Sequence, residues 1–148
     1  MAELDREIVG ANGRKFTLEA LRQRVSVLEP RILLMREVDA GTPATLDAMG
    51  ETIIELTASL DDYGLVVDLS EAQGTLTADY RRYIPEFFER LRARSARLRH
   101  IAVVFEANPV VRIATKFLVA RMTEIPFSVH KTRSLAQDAV RAAIAERN

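Results

Sequence analysis

The chain has no cysteine, no net charge and only two histidines. Each absence removes a class of chemistry. Without cysteine there is no disulfide framework, thiolate metal site or cysteine nucleophile, and the composition fits a reducing compartment. Twenty-one Lys and Arg balance 21 Asp and Glu, so no global field draws the chain to nucleic acid, an anionic membrane or an acidic substrate. His100 and His130 are too few for a His-rich metal site, no Ser, His and acid spacing recommends a hydrolase, and each histidine reads as structural. Gly10 and Gly13 do not make a phosphate-binding motif, and no Gly-x-Gly-x-x-Gly follows a strand. The longest apolar runs, Ile32 to Met35 and Ile101 to Phe105, are far short of the roughly 18 to 20 residues that span a bilayer. Acid and base alternate from Glu3 to Glu7, where an export signal would need a basic start and an apolar run. A cytoplasmic protein with no metal and no cofactor is expected.

The 148 residues suit one domain, enough to bury roughly 70% of the surface of the unfolded chain. Val25 to Leu28, the turn at Glu29-Pro30, and Arg31 to Val38 predict an antiparallel strand pair. Upstream, Asn12-Gly13 signals a turn. Phe16 to Leu21 could form a helical turn or another edge strand, since its apolar spacing fits neither period cleanly, so residues 1–24 are an N-terminal extension of unassigned structure before a domain over 25–148. Thr42-Pro43 has the form of a cap and first-turn proline, and Leu46, Met49, Ile53, Leu56 and Leu60 follow at helical spacing. That helix is expected to end near Asp61, with Gly64 as a left-handed cap before a strand from Leu65 to Leu69.

A second helix is expected to carry Ile84, Phe87, Phe88, Leu91 and Leu98 on one side, with Pro85 either kinking it or marking its start. Ile101 to Phe105 reads as the next buried strand, and Asn108-Pro109 as the cap of a helix from Val110 to about Met122. Pro126 breaks the chain before a strand at Phe127 to His130. Ser134 and Gln137 form a capping-box pattern at the start of the last helix. This order predicts an α/β fold whose mainly parallel sheet carries four helices and an N-terminal antiparallel strand pair.

The run Tyr63 to Ser70 is β-branched and apolar until it breaks at Asp68, as a buried parallel strand ends. Ligands and partners of open α/β sheets gather beyond such carboxyl ends, so Asp68, Ser70 and the loop through Thr77 form the expected working surface. Together with Ile101 to Phe105 and the closing Ser134 to Val140, the Leu65-Val66-Val67-Asp68-Leu69-Ser70 strand resembles STAS domains, the group of anti-sigma-factor antagonists and SpoIIAA-like proteins. The resemblance runs from about Val25 to the C-terminus. In the antagonist branch the loop after this strand leads to an Asp-Ser-Ser-Gly motif whose first serine is phosphorylated by a partner kinase. Spacing sets Leu76, Thr77, Ala78 and Asp79 against that motif, so one hydroxyl is shared.

Thr77 is the leading switch position, because a phosphate there would lie at a helix N-terminus. Its alternative role is an N-cap. Thr75 and Ser70 supply further hydroxyls on the same rim. Asp68 could accept a phosphoryl group with Lys131 as the nearby cation, but no adjacent acidic pair stands ready to hold magnesium, and the better reading is a carboxylate that orders the loop. Arg90, Arg94 and Arg97 are placed on one helical face as an anion patch or a solvated surface. Val111, Val119 and Met122 widen the apolar stripe of the Val110 helix, which is covered within the domain or forms an interface.

The expected function is a non-catalytic STAS-like protein-interaction module, regulatory or a signalling scaffold, with a protein partner or a second copy. The alternative is a carrier of a small apolar ligand or lipid, which some SpoIIAA-like proteins suggest.

Overall fold

The computed structural model describes residues 3–38, 41–71, 78–105 and 126–146. A five-stranded sheet forms from β3 (Val25–Glu29), β4 (Ile32–Arg36), β5 (Tyr63–Asp68), β6 (Leu98–Val104) and β7 (Phe127–His130), in that spatial order. β3 and β4 are antiparallel, and every later pair is parallel. β5 lies at the centre with all six residues buried, which is why its sequence runs apolar without alternation.

Two cores cover the two faces. Leu33 and Met35, Leu65 and Val67, and Ile101 and Val103 point to one face and pack with α2 (Pro43–Thr57) and α3 (Ala78–Arg94). Ile32, Leu34, Val66, Ala102 and Val104 point to the other and meet Ala136, Val140 and Ile144 of α4 (Arg133–Ala145). Consecutive crossovers of one hand that step in one direction across a sheet must stay on one face, and α2 and α3 do so.

α2 begins at Thr42-Pro43 as its sequence predicts, and Thr42 and Thr45 cap each other reciprocally. It ends at Thr57. Gly64 is not its cap: the residue lies inside β5, and Gly13 is the glycine with positive φ among those described. Gly64 is required because a Cβ there would run into the Val140 side chain and reach 3.2 Å from the His100 carbonyl oxygen. The bare backbone lets α4 sit directly on the central strand.

α3 runs unbroken from Ala78 to Arg94 with Pro85 inside it and buried. Leu98, expected on that helix, instead opens β6, because the helix ends at Arg94 and a turn intervenes. α4 is capped by Thr132, whose Oγ1 accepts from Leu135 N at 3.2 Å, rather than by Ser134. The expected helix at Val110 to Met122, with Val111, Val119 and Met122, lies outside the described residues.

Upstream of the sheet, β1 (Glu7–Val9) and β2 (Lys15–Thr17) form a hairpin through Asn12 and Gly13, both at positive φ. The ambiguous Phe16 to Leu21 segment is both of its alternatives in turn, ending β2 and then forming α1 (Leu18–Arg22), with Thr17 as the cap. Ile8, Leu18 and Leu21 join the same core as Met49 and Ile53 of α2.

Candidate functional site at the carboxyl edge of the sheet

β4 and β5 end side by side, with Arg36 opposite Asp68 and the Glu37 N–H donating to the Asp68 carbonyl at 3.0 Å. Alternation then sends successive side chains to opposite faces. Asp68 follows Val66 toward α4, whereas Glu37 follows Leu33 and Met35 toward α3. The edge therefore holds two buried carboxylates, Asp68 5% and Glu37 2% exposed, one on each side of the sheet.

Asp68 has both oxygens committed. Oδ1 accepts the Ser70 backbone N–H at 2.9 Å and the Ser70 hydroxyl at 2.5 Å. Oδ2 accepts Arg133 Nε at 3.0 Å and Nη2 at 2.7 Å. Burial pushes the Asp68 pKa up, but the Ser70 hydroxyl, the Ser70 N–H and Arg133 together outweigh it and hold the carboxyl below its ordinary value. Four donors fill the roughly four lone-pair positions of a carboxylate, so in this arrangement none is left to ligate magnesium or attack a phosphoryl donor. Lys131 was the expected cation, but the guanidinium that reaches Asp68 belongs to Arg133. A signal for it was present: a cation in the first turn of a helix opposes the macrodipole and needs an anion beside it.

On the other face, Glu37 accepts a hydrogen bond from the Tyr80 hydroxyl and lies 3.6 Å from the Arg24 guanidinium. Tyr80 is buried. Desolvation, and after it the charge of Glu37, raises its pKa well above 10, so the phenol stays a neutral donor. The Tyr80 ring also fills the space that a Cβ on Gly41 would enter. Alternation along Ile32 to Glu37 carries this acid to the buried face.

The described residues on either side of 72–77 are fastened: Asp68 ties the end of β5 to α4, Ser70 turns the chain, Arg36 Nη2 binds Glu71 at 2.9 Å, and Tyr80 holds the first turn of α3. Thr75 and Thr77 lie outside the described residues.

The three predicted arginines do not make a joint anion patch. Arg90 binds Glu86 at 2.6 Å, and Arg94 binds Glu51 of α2 at 2.6 Å. Arg97 lies past the end of α3 and donates to the Leu60 carbonyl at 2.5 Å and the Ala58 carbonyl at 3.3 Å. Arg94 and Arg97 fasten α3 and the turn after it to α2 and the turn that follows α2, while Arg90 stays paired within α3. Between these helices a groove of about 230 Å³ has Phe87, Leu91 and Ile54 at its floor and Asp47, Glu51 and Arg94 on its rims.

The two histidines, distant in sequence from each other, meet. Ser128 Oγ lies 2.7 Å from His100 Nε2 and 2.7 Å from His130 Nε2. Burial lowers the pKa of both, and for His100 the proximity of His130 lowers it further. Among the described residues no group of three or more His, Cys, Asp or Glu side chains has metal-binding geometry, and no helix is long and apolar enough to cross a membrane. Comparison with family models, with curated proteins and with solved structures finds no match.

Proposed function

We propose that the chain is a non-catalytic STAS-like module of the cytoplasm that binds a protein partner through the loop leaving β5. The observation that carries this reading is the saturated Asp68 carboxylate, which serves as an anchor for the loop where a catalytic carboxylate would need free lone pairs. The order of one antiparallel pair followed by sequential parallel strands also agrees with the STAS-like arrangement. Fold analogy supports the family and leaves the partner to the site itself.

The test is native mass spectrometry of the protein purified from its own cells, as wild type and with Ser70→Arg or Thr77→Ala. A protein partner at fixed stoichiometry that is weakened by the loop substitutions and kept by Leu56→Ala, an exposed position in the last turn of α2, is the expected result. A stoichiometric apolar small molecule would replace this reading with the carrier. Metal-dependent labelling by a phosphodonor, abolished by Asp68→Asn, would replace it with an enzyme.

A further inference from the structure

We propose that His100, Ser128 and His130 form a binding site for a borderline divalent cation of the Zn2+, Ni2+ or Cu2+ class. Parallel pairing creates the cluster. Ser128 stands opposite Ala102, which sets His100 two residues before that pair on β6 and His130 two residues after it on β7. All three side chains point to the α4 face, since Ala102 and Val104 do.

Three features suit a cation. Both imidazoles present Nε2, a good ligand for these metals when neutral, and both aim it at the same oxygen. The two nitrogens are therefore no farther apart than twice 2.7 Å. Ligation at about 2.0 Å needs each ring to move by about an ångström or less, with the Ser128 hydroxyl turning aside to become a third, weaker oxygen donor.

Burial keeps both imidazoles neutral, the form that ligates, and one nearby group favours a cation. Glu146, the C-cap of α4, acts on His100 electrostatically, and the negative end of the α4 dipole lies at that cap. Access is available as well. β7 is the outermost strand of the described sheet, and His100, Ser128 and His130 are each partly exposed. Waters would complete the coordination sphere. On binding, the imidazole that now donates from Nε2 keeps its proton by shifting it to Nδ1, so the ligands stay neutral and the serine keeps its hydrogen.

Because these are the only two histidines in the chain, the test is direct. The full chain is titrated with Zn2+ while both imidazole ring signals are followed by NMR, and with Cu2+ while bound nitrogens are counted by electron paramagnetic resonance. The expected result is that both rings respond together, saturating at one equivalent, with two nitrogens on copper. His130→Gln should leave one nitrogen and weaken binding by at least the roughly tenfold that even an outer-sphere partner is worth. Ser128→Ala should keep both nitrogens. The proposal is overturned if only one ring responds, if neither does, or if the nitrogen count is unchanged in His130→Gln and in His100→Gln. His130 is the substitution of choice because it sits at the end of the outermost strand, where folding is least at risk.

Discussion

At the scale of single residues, the carboxyl edge is organised by two acids with opposite neighbours. Asp68 is held by a guanidinium and a hydroxyl, Glu37 by a phenol and a more distant guanidinium. Arg133→Ala removes two charge-assisted hydrogen bonds from a buried carboxylate. It should cost about 1.5 to 3 kcal/mol, read from urea unfolding, and free the start of the loop. Arg133→Lys should restore only part of this, because an ammonium cannot span two bonds to one oxygen in the guanidinium's fixed geometry. Tyr80→Phe leaves Glu37 short of a donor in a buried site and should cost about 1 to 3 kcal/mol. In the wild type, ultraviolet titration should show that Tyr80 does not ionise near pH 10, since burial and the Glu37 charge both oppose the phenolate.

At the scale of elements, α4 is seated by one missing atom group. Gly64→Ala places a methyl against Val140 and the His100 carbonyl and should destabilise by about 1 to 3 kcal/mol through overpacking. In a Val140→Ala background the same substitution should cost much less. A double-mutant cycle by urea unfolding measures the difference, and additive penalties would show that the glycine has another purpose. The cap at the other end of this contact is Thr132. Thr132→Ala should cost about 1 kcal/mol, whereas Ser134→Ala should cost little, because Thr132 holds the cap that the Ser134 and Gln137 spacing had suggested.

At the scale of the whole molecule, stability should fall in two steps as pH drops. His100 and His130 have folded-state pKa values below the ordinary 6.5, so the folded protein binds fewer protons than the unfolded chain beneath that pH. Their contribution is complete above 6.5 and is lost as pH falls through the folded values. Asp68 acts lower, its contribution complete above the ordinary 3.8 and lost as pH falls through a folded value below that. Urea midpoints measured from pH 8 to pH 3 should show both declines. His130→Gln should flatten the upper one and leave the lower.

The strands of the five-stranded sheet, the capped start of α2 and the break at Asp68 were legible in the sequence because each rests on local chemistry: a β-branched run, a proline after a threonine, an acid after apolar residues. The mainly parallel character of the sheet followed from the alternation of elements, since parallel neighbours need crossovers, while the spatial order of the strands came from the tertiary structure. Tertiary contact decided the rest. Gly64 looked like a cap, because no local rule shows that a valine 76 positions later occupies its Cβ space. Arg90, Arg94 and Arg97 looked like a shared face, yet Arg90 pairs with a glutamate of its own helix and the partners of Arg94 and Arg97 lie on α2 and the turn that follows it. His100 and His130 looked unrelated, because 30 residues separate them and only the register of β6 against β7 brings both to Ser128. Short-range propensity determines elements. Which charges are satisfied and which imidazoles converge depends on strand register and helix seating, and those are set by the packing of the whole chain.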